Sequence, residues 1–115
     1  MSQDMEVYEM QAEMAGALAH PVRLRILDLL SSGEYSTQAL LSDLEIPKAN
    51  LSQHIMVLRT VGLLEVRRDG RSQYLRLAFP RITEACKIVR SLLMEKLAAQ
   101  ERHVSELKAS IMGAD

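Results

Sequence analysis

The stretch "NLSQHIMVLRTVGLLE", residues 50–65, decides how the chain folds. Leu51, Ile55 and Leu58 recur at i, i+4 and i+7, the spacing of one buried helix face. Asn50, Ser52, Gln53 and His54 fall on the other side, and Gly62 stops the helix before a second apolar run. The spacing predicts a helix from about Lys48 to Val61 whose polar row is either solvated surface or a reading face.

Upstream, "STQALLSDLEI" predicts a short helix with Ser36 as its N-cap and Leu40, Leu41 and Leu44 pointing inward. "EIPK" is a tight turn, because Pro47 disfavours helix at the residue before it and can open the next helix. Two short helices joined by about four residues with a breaker make a helix-turn-helix, spanning about residues 36–61. Before it lie two more helices. Residues of about 4–19 place Met5, Tyr8, Ala12, Ala15 and Leu18 on one stripe. "AHPVRLRILDLLSSGE" gives the other, opened by Pro21, faced by Val22, Ile26, Leu29 and Leu30, and ended at Ser31-Ser32-Gly33.

Downstream, Leu64, Val66, Leu75 and Leu77 flank "RRDGRSQ", and Asp69-Gly70 is a hairpin signal because Gly tolerates positive φ. The prediction is a two-stranded ribbon over about 63–78 with Arg67, Arg68 and Arg71 at its tip. A last helix runs from about 80 to 111. Its stripe of Ile82, Ala85, Cys86, Val89, Leu92, Leu93, Leu97, Val104, Leu107 and Ile111 is longer than a small core can cover and asks for a second chain. The expected architecture is a single mainly α domain over 1–115 with a two-stranded β-wing, a winged helix-turn-helix that dimerises through its first and last helices.

Length and composition agree. A chain of 115 residues suits one core, and 48% apolar with 25% charged residues fits a globular protein. The opening carries Asp4, Glu6 and Glu9 rather than a secretory signal, and no apolar run approaches the roughly 20 residues of a membrane span. The single cysteine, Cys86, fits a reducing compartment. The expectation is a cytoplasmic protein with no membrane partner. The net charge is −1, but its distribution is uneven. From Lys48 to Arg76 six basic residues face two acidic ones, net +4, and the remaining eight basic and thirteen acidic residues leave −5. A basic middle between acidic ends is the footprint of a small DNA binder.

The side chains fit that use. Asn50 and Gln53 can pair bidentately with adenine, and Ser52 with either type of base partner. Lys48 and His54 are placed to reach phosphates, and Arg67, Arg68 and Arg71 suit phosphates or a narrow minor groove. The recognition helix would lie in the major groove of double-stranded DNA. Two alternatives remain open: a thiol-responsive repressor using Cys86, and a winged-helix adaptor that pairs with another protein. No paired carboxylates, phosphate loop or nucleophile–base constellation points to an enzyme.

"LAHPVRLRILDLL", "LSQHIMVLRTVGLLEVRRDGRSQYLRL" and "FPRITEAC" together resemble the ArsR/SmtB family of dimeric bacterial transcriptional regulators, over about residues 10–95. The resemblance implies a homodimeric winged helix of four helices, two strands and a last helix, which represses its operon and leaves the operator when a signal arrives. Ser52 and His54 match the family's Ser-x-His, Lys48, Asn50 and Gln53 take the places of variable readers, and Arg67, Arg68, Asp69, Gly70 and Arg71 match the wing. The metal-ligand motifs of relatives do not match. The thiolate positions of the third helix hold Ser36 and Gln38, and the last helix has Arg81 and Leu92 where ligands are expected. The expectation is therefore no metal site and no cofactor. Cys86 is read as a small buried apolar residue or, alternatively, a sensor. Met5, Met10, Met14 and Met94 are expected in the dimer interface, a soft surface that could admit a small-molecule inducer.

Overall fold

The computed structural model describes residues 3–113. Its elements run α1 (Gln3–Leu18), α2 (Pro21–Leu30), β1 (Tyr35–Ser36), α3 (Thr37–Leu44), α4 (Lys48–Thr60), β2 (Leu64–Asp69), β3 (Ser72–Leu77) and α5 (Ile82–Met112). They divide into two compact units, Met1–Thr83 and Glu84–Asp115. Among the described residues no helix is long and apolar enough to cross a membrane.

The first unit holds the core. Ile26, Leu27 and Leu30 of α2, Leu40 of α3, Leu51, Ile55 and Leu58 of α4, and Leu63, Leu64 and Leu75 around the wing are buried, with Ala17 from α1. Each is a small or branched aliphatic, so the core closes without an aromatic. The helix ends follow their capping residues. His20 is the N-cap of α2, its Nδ1 accepting from the Val22 N–H at 3.1 Å, and Pro21 occupies the first turn, where a missing N–H costs nothing. Ser36 caps α3, its hydroxyl accepting from the Ala39 N–H at 3.1 Å. At the end of α4, the Leu63 N–H reaches the Leu58 carbonyl at 3.0 Å and the Gly62 N–H reaches the Arg59 carbonyl at 2.9 Å. This pairing needs a left-handed residue, and Gly62 supplies it at φ +81°. Leu58 and Leu63, both buried, seal the same turn.

The turn that aims α4 rests on Glu45, which takes a left-handed φ of 53° and donates its N–H to the Leu41 carbonyl at 3.0 Å. Pro47 then precedes α4.

The wing is the expected two-stranded hairpin, and a short strand is added to it: Tyr35 and Ser36 pair with Leu75 and Tyr74, so three antiparallel strands lie in the order β1-β3-β2. Two residues carry no alternation for sequence reading to detect, and Ser36 serves both the strand and the α3 cap. The β2–β3 register runs from Leu64↔Leu77 to Asp69↔Ser72, leaving Gly70 and Arg71 as the turn. Gly70 takes φ +62° there.

In the second unit α5 is a helix with no fully buried residue. It opens at Ile82, two residues beyond the expected start at 80, because the Phe79 and Pro80 carbonyls accept from the Ile82 and Thr83 N–H groups. Val89, Leu92, Leu93, Leu97, Val104, Leu107 and Ile111 all lie exposed. In the first unit Met5, Tyr8, Met10 and Met14 of α1 are likewise exposed, and Ala12 and Ala15 with them.

Candidate nucleic-acid interface

Burying Leu51, Ile55 and Leu58 fixes which way α4 faces. Its opposite side presents Lys48, Asn50, Ser52 and Gln53 to solvent. Pro47 supplies no side-chain cap to the helix, so the first turn carries the positive end of the α4 dipole beside Lys48. Below this row Ser52, Ile55, Met56, Arg59, Thr60 and the β3 residue Gln73 line an open groove of about 410 Å³. Arg59 and Gln73 were not singled out from sequence. Arg59 lay in the basic window, but Gln73 joins the groove only through the hairpin register that sets it opposite Arg68.

The wing arginines separate into two kinds. Arg68 and Arg71 are exposed and make no ion pair among the described residues. Arg67 is engaged: its Nη2 donates to Glu34 Oε1 at 2.6 Å, its Nε to Glu34 Oε2 at 3.3 Å, and its guanidinium lies 4.4 Å from the centre of the Tyr74 ring. The hydrogen bond from Arg67 holds the Glu34 carboxyl below its usual pKa, so the pair persists at neutral pH. Arg76 is similarly committed to Glu65 at 2.6 Å. Arg67, expected with Arg68 and Arg71 to meet DNA, thus also ties the wing to the segment before β1. Glu34 lies 33 residues away in sequence, which put it outside the charge window.

His54, expected to reach phosphate, has a different setting from Lys48, Asn50, Ser52 and Gln53. It is half-buried rather than displayed with the reading row. Its ring sits 4.4 Å from that of His20, and its Nδ1 lies 3.3 Å from Nη1 of Arg23. Burial first, then the nearby His20 and Arg23, push the imidazole pKa down. The helical spacing explains this: position 54 stands between buried Leu51, Ile55 and Leu58, on the edge of the apolar face. Cys86 is half-buried in α5, which buries none of its side chains fully in a single chain. Among the described residues no three His, Cys, Asp or Glu side chains gather as metal ligands would.

An exposed polar row on the second helix of a helix-turn-helix, followed by an arginine-tipped hairpin, is the geometry of a winged helix. The comparisons agree. The family model of a helix-turn-helix domain matches residues 18–67. The HTH-type transcriptional regulator Rv0081 of Mycobacterium tuberculosis is 38% identical over 104 residues, covering 90% of this chain and 91% of that one. The chain belongs to the ArsR/SmtB family of winged-helix transcriptional regulators. The crystal structure of M. tuberculosis Rv0081 superposes with a TM-score of 0.74 at 39% identity, over 82% of this chain and 95% of that one. The homodimeric winged helix-turn-helix DNA-binding domain of Mb0332 from Mycobacterium bovis, a possible ArsR-family regulator, gives 0.74 at 30% identity, over 84% and 90%. The transcriptional repressor BigR from Xylella fastidiosa gives 0.63 at 33% identity, over 82% and 95%. As an ArsR/SmtB member the chain is a DNA-binding regulator of transcription and not an enzyme.

Proposed function

We propose that this ArsR/SmtB regulator is a cytoplasmic, homodimeric, sequence-specific repressor that reads an imperfect inverted repeat. The observation that carries the proposal is the exposed polar row of α4 set opposite its buried Leu51, Ile55 and Leu58. Asn50, Ser52 and Gln53 read base edges in the major groove. Lys48 and the uncapped start of α4 meet phosphate, as Arg68 and Arg71 do from the wing. Arg67 and His54 act differently from a direct phosphate contact: the first holds the wing through Glu34, the second holds α4 against Arg23.

Homodimerisation is supported by the apolar residues of α1 and α5 that a single chain leaves exposed. Two recognition helices about one DNA turn apart, roughly 34 Å, would engage the two halves of the repeat. The name repressor is supported by relatives such as BigR. A signal would shift the dimer between a DNA-competent geometry and another.

A mobility-shift titration on the DNA upstream of the chain's own gene tests this, run against random duplex at several salt concentrations. The expected result is tight binding to the upstream DNA, weaker and steeply salt-dependent binding to random DNA. Equal affinity for both would overturn sequence-specific repression, and no binding at all would favour the protein adaptor. Repeating the titration after oxidation or persulfide treatment shows whether Cys86 receives the signal.

A further inference from the structure

Three side chains that play no part in base reading meet where the end of α1, the start of α2 and the middle of α4 come together. Arg23 donates its Nε–H to the Ala17 carbonyl at 2.6 Å and reaches the Gly16 carbonyl from Nη2 at 3.4 Å. Its remaining nitrogen, Nη1, lies 3.3 Å from His54 Nδ1. The His54 ring stands 4.4 Å from the His20 ring, inclined by 47°. One guanidinium therefore joins the last turn of α1 to the recognition helix. A cationic side chain on the final carbonyls of a helix is ordinary capping. Capping does not require the third contact, to a different helix that presents the reading row.

The chemistry of that contact sets its condition. A guanidinium only donates, so His54 Nδ1 must accept, and an imidazolium has no lone pair there. His20 carries the same condition, since its Nδ1 accepts from the Val22 N–H.

We infer that Arg23 is a positioning residue for DNA reading, which holds α4 on the end of α1 through His54, and that protonating His54 releases this hold and weakens operator binding. The inference rests on the proposed DNA reading. It adds that α1, whose apolar side is exposed in a single chain, is mechanically joined to the reading helix.

The surroundings favour such a release. Burial first, then His20 just before α2 and Arg23 on α2, disfavour a positive charge on the His54 ring. α1 brings backbone carbonyls to this corner, and Arg23 already engages them. β2, the third element against α4, has Glu65 committed to Arg76 and Arg67 to Glu34, with Arg68 and Asp69 at its turn end. A proton on His54 thus meets a guanidinium and a second imidazole and turns the ring away. The sign is diagnostic. Acid makes any protein more positive and so tightens binding to phosphates in general. Release of α4 makes the operator preference fall instead.

The test measures affinity for the upstream operator and for random duplex between pH 8 and pH 5.5 at fixed ionic strength. In the native chain the operator-to-random ratio is expected to fall several-fold over this range, because the lowered His54 pKa leaves part of the change to still more acid solution. In His54→Asn, which offers an amide oxygen near the place of Nδ1 without titrating, the ratio should stay level. Arg23→Gln should show the lowered ratio already at pH 8 and no pH dependence. His20→Asn keeps an N-cap acceptor but removes a neighbour that disfavours a proton on His54, so the fall should begin at higher pH. Thermal melts identify any variant that has lost its fold.

A DNA-free readout separates this inference from the proposed function. In NMR spectra of the full chain, the Arg23 Nη1–H signal, on the nitrogen that faces His54 Nδ1, should be protected from exchange at pH 8 and lost in step with His54 protonation. A native ratio that is level or rises in acid overturns the inference, as does a His54→Asn profile identical to the native one. Absence of DNA binding at pH 8 would refute the repressor reading, and the Arg23 signal would then decide the coupling alone: loss independent of His54 overturns it.

Discussion

Gln53 and Arg68 are both exposed and both polar, yet they should fail in different ways when truncated. Gln53 stands on the face of α4 opposite the buried leucines, so its amide can distinguish bases. Gln53→Ala should cost about 1–3 kcal/mol on the operator and relax base choice, with little change on random DNA. Arg68, at the hairpin end, is proposed to meet a phosphate, which every sequence carries. Arg68→Ala should weaken operator and random DNA alike and reduce the salt slope by about one contact. Parallel salt titrations of the two variants decide it; equal losses on both DNAs for Gln53→Ala would remove Gln53 from base reading. Glu34 gives the opposite case, because it neutralises Arg67 beside the wing. Glu34→Gln should free that guanidinium, tighten binding to random DNA and steepen its salt slope by about one ion. The Glu34 carboxyl is held low by Arg67, so its folded form stays ionised where the unfolded form begins to protonate. The pair's contribution is therefore present at neutral pH and is lost only as pH falls below the ordinary carboxylate range.

At the scale of elements, two left-handed residues bracket the recognition helix, and they should respond to substitution in opposite directions. Gly62 ends α4 at φ +81°, with nothing within 4 Å of where a Cβ would stand. Gly62→Ala meets no neighbour, so its cost is of backbone alone, about 1 kcal/mol. Glu45 occupies φ 53° without being glycine. Glu45→Gly relieves that conformation and should leave stability unchanged or raise it by up to about 1 kcal/mol, offset by the greater freedom of the unfolded chain. Denaturant melts of both variants check the pair, and a marked loss in Glu45→Gly would mean that the side chain itself contributes. These two positions also mark how far the sequence could be read. The stop at Gly62, the cap at Ser36, the helix opening at Pro21 and the hairpin at Gly70 were legible because their chemistry is local. The Glu45 turn was not, since nothing in glutamate announces a positive φ. Nor was β1, whose two residues pair with β3 only once the hairpin is folded. The site divided along the same line. Lys48, Asn50, Ser52 and Gln53 could be placed by counting from the apolar row, whereas the partners of Arg67 and His54 come from 33 and 31 residues away.

At the scale of the whole molecule, the question is what covers the apolar residues that one chain leaves in water. Along α5, Leu92, Leu93, Leu97, Val104 and Leu107 are each about half exposed, and Met5, Tyr8 and Met10 of α1 are as open. Singly exposed aliphatics are normal, but a helix of 31 residues with a repeated apolar stripe and no buried residue lacks the packing that ordinarily stabilises a helix. A second copy, as proposed, would supply it, and two-fold symmetry would place the same stripe on both sides of the contact. Leu97→Glu puts a charge into that stripe at a position exposed in the single chain, so the core of the first unit should fold unchanged. Sedimentation velocity should then show the native chain at twice its 12.9 kDa mass and the variant at the monomer mass. The DNA consequence follows by linkage. A monomer engages one half-site and loses the gain from tethering two, so its operator affinity should fall by at least about a hundredfold. Its affinity for random duplex should fall less, because phosphate contacts do not depend on the repeat. A native chain that sediments as a monomer would sever the inverted repeat from the reading helix and leave α5 free for a different protein partner.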